Sequence, residues 1–204
     1  MKKSIIEWIV GILIGVILAF ILTTFVATRY TVKGDSMDPT FKDKEKLIIN
    51  KLSTRFHSID RGDVIVFHAT KDRDYIKRLI GKPGDEVKYE NDKLYINGNY
   101  ISEPYLNANK DKRITKYLTE NFSVSDLKNS KGKNKIPKDK YLVLGDNRFV
   151  SNDSRGDLGL LDKDKVVGKV FVRLLPLNDF KFDFYSDTFD TVSYTHLTLP
   201  TNRE

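Results

Sequence analysis

The chain has 204 residues, 40% of them hydrophobic and none cysteine, which is enough for one domain with a sizeable core and closed to disulfide or thiolate chemistry. Its formal net charge of +7 is concentrated: residues 110–140 hold ten Lys/Arg against four Asp/Glu, so six of the seven positive charges belong to one segment. Lysines set there among Asn, Ser and Gly, with few aromatics, form a solvated face toward anionic lipid and not a base-stacking platform, which excludes nucleic acid as a partner.

Trp8 to Thr28 contains no charged residue. At about 1.5 Å per residue a helix of that length just crosses a hydrocarbon core of about 30 Å, so one N-terminal transmembrane helix is expected. Lys2 and Lys3 before the run also suit a signal peptide, but the apolar stretch is too long for one and Thr24 to Tyr30 offers no small-x-small cleavage site. Lys2 and Lys3 on one flank are matched by Arg29 and Lys33 on the other, so charge alone leaves the topology open.

Directly beyond the apolar run lies GDSMDPT, Gly34 to Thr40, a turn-rich loop that carries a serine beside the membrane surface. The chain then reads as short strands: Leu47 to Asn50, Val64 to Phe67, Tyr75 to Ile80, Val87 to Tyr89, Leu94 to Ile96, Tyr141 to Leu144 and Val166 to Leu174. Turn chemistry at Arg61-Gly62-Asp63, Pro83-Gly84-Asp85, Asn91-Asp92 and Asn97-Gly98 separates them. An antiparallel, all-β domain of hairpins is therefore expected from residue 29 to about 187, with a basic loop insertion near 104–138. The last residues, 191–204, have the texture of translated vector sequence and are set aside as a non-native tail, His196 included.

A serine hydroxyl is a poor nucleophile until a base takes its proton. His57 lies in an undistinguished loop, and His68 closes the apolar strand VIVFH beside a lysine-rich turn, where a structural histidine is the ordinary outcome. Lys77 differs. On a strand it shares one face with Tyr75 and Leu79, so it emerges between an aromatic and an aliphatic neighbour. Burial there disfavours the ammonium form; lowering a lysine from about 10.4 to about 8 requires roughly 3 kcal/mol of differential solvation, within what burial supplies. A lysine that snorkels from a strand edge is the bland alternative. The loop LGDNRFVSNDSRGDLGLL, Leu144 to Leu161, follows a strand with Asp146, Asn147, Arg148, Ser151, Asp153 and Arg155, short side chains of both charge signs suited to orienting a buried amine.

Taken in order, the apolar span, GDSMDPT, RGDVIVF, YIKRLIGKPGD and GDNR…SNDSR resemble the type I signal peptidases, the membrane-bound Ser/Lys endopeptidases of bacteria, in their compact Gram-positive form. The similarity runs from about the first residue to about Asp187. It implies a membrane anchor in residues 1–28, a cytoplasmic N-terminus and an extracytoplasmic catalytic domain that cleaves N-terminal signal peptides from exported preproteins near the secretion translocase. Ser36 would be the nucleophile and Lys77 the general base, with Ser151 holding the amine and Asp146, Asp153 and Arg155 supporting that loop. Met37, Phe41, Tyr75 and Ile76 would line shallow pockets for small side chains; no metal or organic cofactor is implied. Asp35 stands where some relatives carry serine or glycine, which leaves oxyanion stabilisation to the Ser36 N–H, and Phe149 and Val150 occupy positions that are polar in many relatives. The rival readings are a catalytically silent, membrane-tethered β binding domain and a Ser/Lys self-cleaving protease.

Overall fold

The hairpin signals in the sequence are realised as left-handed backbone: Asn91, Asp92, Asn97 and Gly98 all have φ between 51° and 82°, the geometry that two-residue turns need to match strand twist. A computed structural model describes residues 2–21, 26–56, 58–182 and 184–190, and its strands are β1 (Ala27–Thr31), β2 (Lys46–Asn50), β3 (Val64–His68), β4 (Asp74–Gly81), β5 (Val87–Glu90), β6 (Lys93–Ile96), β7 (Asn99–Ile101), β8 (Phe122–Ser123), β9 (Lys140–Leu144), β10 (Leu161–Asp162), β11 (Val166–Leu175) and β12 (Lys181–Phe182). The helices are α1 (Lys2–Ile21), α2 (Leu52–Arg55) and α3 (Asn107–Asp111).

Every pairing is antiparallel. The larger sheet has the order β1-β2-β11-β3-β4-β9-β10, with β12 added to β11; the smaller is β7-β6-β5-β8. All seven strands read from the sequence are present, and the all-β expectation holds. β3 is VIVFH because it is covered on both faces: Val64 and Val66 pack with Leu47, Ile49 and Ile76, while Ile65 and Phe67 pack with Leu79 and Val143. β5 alternates buried and exposed residues instead, one face over the core of the smaller sheet and one in solvent.

Two expectations require correction. The span from Trp8 to Thr28 is not seen whole: Ala27 and Thr28 are strand residues, paired with Asn50 and Ile49 of β2, because five ladder pairs along a β-branched and aromatic segment outweigh continuation of a helix. Among the described residues no helix is long and apolar enough to cross a membrane, although the side chains of α1 from Ile5 to Phe20 are exposed and, Glu7 apart, apolar or small. Residues 104–138 do not form a loose insertion. Leu106 and Leu118 are buried, and Val124, Leu127 and Ile136 complete the core beneath the smaller sheet. Lysine-rich spacing hid these scattered anchors from any periodicity. Residues 191–204 and His57 lie outside the described residues.

Candidate active site

The serine loop is an excursion between β1 and β2, closed at its base by Val32 N–H donating to Glu45 O and Lys44 N–H to Val32 O, both at 2.9 Å. Gly34 sits at φ +78° and donates its N–H to Asp43 Oδ1 at 2.8 Å. Tight turns follow, with Asp38 N–H on Asp35 O and Phe41 N–H on Met37 O. The second of these puts Met37 and Phe41 on one side, where both are fully buried against Val64, Ile76 and Phe184. They are therefore core residues and not surface lining, a correction to the pocket expected from sequence. Ser36, their neighbour, is left half-buried at the edge of the cleft. Among the described hydrogen bonds none engages the Ser36 N–H.

Lys77 reaches this serine from β4. Its Nζ donates to Ser36 Oγ at 2.6 Å and to Ile76 O at 3.1 Å, and lies 5.3 Å from the centre of the Tyr75 ring. The residue is 3% exposed. Burial lowers its pKa from the usual 10.5 to about 8, and the carboxylates of Asp153 and Asp146 oppose that fall without cancelling it. They fail to cancel it because each already faces a guanidinium. Arg78 Nε and Nη2 bind the two oxygens of Asp146 at 3.0 and 2.7 Å, and Arg155 Nε and Nη2 bind those of Asp153, both at 2.9 Å. Burial also pushes the Asp153 carboxyl up, but the bonds from Arg155 outweigh it and hold the group low.

Register explains why residues so far apart in sequence meet. β4 pairs with β9 so that Arg78 lies opposite Leu144, and the chain leaving β9 at Gly145 passes beside Ser36 O. Asn147 N–H then donates to Ser36 O at 3.0 Å, and Thr40 Oγ1 to Asp146 Oδ2 at 2.5 Å. Gly145 is required at this crossing: a Cβ there would fall 2.2 Å from Ser151 Oγ and 2.4 Å from Ser36 O. Its N–H donates to Asp153 Oδ2 at 3.0 Å. Ser151 lies in this knot, and among the described residues its buried Oγ has no partner at hydrogen-bond geometry. The partners of the Lys77 amine are Ser36 and Ile76 rather than Ser151.

Sequence reading missed a second layer. Arg78, buried on β4, also donates to Gly62 O at 2.7 Å and Phe184 O at 2.8 Å, and its guanidinium stacks 4.1 Å from the centre of the Tyr105 ring. Arg148, equally buried, donates to Gly145 O, Tyr89 Oη, Thr119 Oγ1 and Glu103 Oε1 at 2.8–3.0 Å. Tyr89 and Tyr105 both donate to the same Glu103 oxygen at 2.6 Å. Burial raises both phenols well above their usual range, so they stay neutral donors. The signals in the sequence were a second cation, Arg78, inside an apolar strand and Arg148 in the charged loop after β9; their partners come from remote segments.

Beside Ser36 and Lys77 opens a cleft of about 320 Å³, lined among others by Tyr75, Ile76, Val150 and Asn152. His68 is not part of it. Its Nδ1 is 2.6 Å from Asp74 Oδ1, an exposed pair at the end of the β3–β4 ladder, as a structural histidine would be. Among the described residues no group of carboxylates and histidines could hold a metal ion.

The chain matches the family described as "Signal peptidase, peptidase S26" over residues 5–175. It is 50% identical over 185 residues to Signal peptidase IB of Staphylococcus aureus strain MRSA252, covering 90% of this chain and 96% of that protein. It is 46% identical over 170 residues to Signal peptidase I P of Bacillus subtilis subsp. natto, covering 82% of this chain and 87% of the relative. Among solved structures it resembles a signal peptidase I from Enterococcus faecalis V583, with a TM-score of 0.50 and 37% identity, over 54% of this chain and 95% of that one.

Proposed function

Since the chain belongs to the signal peptidase family, peptidase S26, we propose that it cleaves signal peptides from preproteins with Ser36 as nucleophile and Lys77 as general base. The observation that carries the assignment of roles is the 2.6 Å approach of a buried lysine amine to the serine hydroxyl, within the reach a general base needs. With the amine neutral, the donor and acceptor exchange roles. Ser36 O–H donates to Nζ, and Oγ attacks the scissile carbonyl as its proton passes to Lys77. The Ser36 N–H, which no hydrogen bond among the described residues engages, is the donor for the developing oxyanion. The Lys77 ammonium then protonates the departing amine, which leaves an ester on Ser36 and a neutral Lys77. A water molecule gives its proton to Lys77 and attacks the ester, and Lys77 returns that proton to Ser36 Oγ as the acyl–Oγ bond breaks and the acid product leaves, so that serine and neutral amine are both restored. Asp146, Asp153 and Arg155 hold the loop against which the dyad is set, and Ser151 fills the space between Gly145 and that loop.

Tyr75 and Ile76 form the floor that admits side chains next to the cut. Preprotein cleavage by the purified chain should require small residues at the first and third positions before the cut. Glycine or serine should replace alanine with little loss, whereas leucine should slow cleavage by more than the 10- to 200-fold that one methylene decides, since it adds three carbons. Equal rates for leucine and alanine substrates would remove Tyr75 and Ile76 from the pocket.

The N-terminal apolar segment ahead of β1 serves as a membrane anchor, supported by the exposed apolar side chains of α1. The catalytic domain, residues 29–187, lies outside the cell, where signal peptides emerge from the translocase. Anchoring confines enzyme and substrate to one plane and raises their effective concentration. Protease added to wall-stripped cells should digest the β domain; full protection would reverse the orientation.

A further inference from the structure

We infer that Asn109 is a positioning residue for the reaction, an amide that fixes the serine loop against the loop following β9. The inference rests on the Ser36/Lys77 assignment above. Asn109 lies on the short helix α3, within the segment whose composition marks it as an insertion, and it is 9% exposed. Its Nδ2 donates to Asp38 O at 2.8 Å and to Asp146 O at 2.9 Å. Asp38 lies two residues beyond Ser36. Asp146 precedes Asn147, whose N–H donates to Ser36 O. One NH₂ group thus ties the backbone carrying the nucleophile to the backbone that carries a carboxylate facing Lys77.

The brace is itself held. A few residues ahead of it in the chain, Glu103 accepts from Arg148 at 2.8 Å, and the Tyr105 ring packs under the Arg78 guanidinium at 4.1 Å. Both buried arginines therefore fix the base from which Asn109 reaches. The side-chain type follows from the chemistry: two carbonyls must be satisfied by two donors in an uncharged group of this length, and asparagine supplies that, while an ionised aspartate supplies none. Lys77, Tyr75 and Ile76 are set by the β3–β4 and β4–β9 ladders and do not depend on Asn109. Loss of the amide should therefore disturb the placement of Ser36 relative to Lys77 and leave substrate binding nearly intact.

The test uses the full chain in detergent micelles with a peptide substrate carrying alanine at the first and third positions before the cut. Asn109→Ala should lower kcat at least about 10-fold, and up to about 100-fold if Ser36 moves by about 1 Å, with KM within about twofold of the parent. Asn109→Ser, which keeps one donor, should fall between the two, and it decides the matter if the alanine variant does not fold. Asn107→Ala, exposed on the same helix, should match the parent. Activities are referred to the folded fraction from near-UV circular dichroism. A kcat within threefold of the parent after that correction, or a rise in KM alone, would overturn the inference. If Ser36→Ala and Lys77→Ala remained active, the dyad assignment would fail instead, so the two failures are distinguishable.

Discussion

Replacing Lys77 with methionine is expected to abolish cleavage and at the same time make the protein more stable near neutral pH. The loss of activity follows from the 2.6 Å contact with Ser36: without a base the hydroxyl keeps its proton, and the rate should drop by at least about 10⁴-fold. Ser36→Ala should be equally inactive, and the double variant no worse than either single one, because the two groups act as a unit. The gain in stability follows from the same burial. The folded-state pKa, about 8, lies below the usual 10.5, so between those values the unfolded chain binds more protons than the native one and stability rises with pH. Below about pH 8 the native state carries the whole cost of a buried ammonium, about 3 kcal/mol. Methionine of similar volume removes it, so urea denaturation should show a gain of up to about 3 kcal/mol at pH 7 that vanishes toward pH 10.5. In the parent enzyme the acidic limb of kcat/KM should fall near pH 8. An active Lys77→Met variant, or an acidic limb near the ordinary histidine value that disappears in His68→Ala, would sink the assignment.

The largest loss of stability is expected at Arg148. Its guanidinium and the Glu103 carboxylate are almost wholly buried and 2.8 Å apart. Arg148→Met would leave the Glu103 carboxylate in the core with only two tyrosine hydroxyls, and breaking a buried pair from one side costs about 3 to 5 kcal/mol. Glu103→Gln in the same chain should restore much of that loss, since an amide needs no counter-charge. Urea midpoints at constant slope would measure both. A cost below about 1 kcal/mol for Arg148→Met, or no recovery in the double variant, would show that the pair contributes little. Activity should fall with stability here, because Arg148 Nε also donates to Gly145 O, at the crossing of the two site loops.

The sequence by itself determined seven of the twelve described strands and the chemistry of the two reactive groups. Those seven were legible because β-branched runs and Asn-Gly, Asn-Asp or Pro-Gly turns are local signals, set by backbone sterics within a few residues, whereas β1, β7, β8, β10 and β12 were not. Ser36 and Lys77 stood out for the same reason, one in a turn-rich motif and the other as a cation within an apolar strand. Tertiary structure decided what those signals meet. The β4–β9 register brings Asp146 to Arg78 and Lys77, a pairing across 68 positions that no local pattern encodes. The Met37-to-Phe41 turn sends two apolar side chains into the core, so that of the four pocket residues expected from sequence Tyr75 and Ile76 are the two at the cleft. Asn109 and Glu103 sit just ahead of the lysine-rich residues 110–140, in a stretch that reads as loop, because a polar residue with distant buried partners has the same composition as one in solvent. Burial alone separates them, and burial depends on the whole fold.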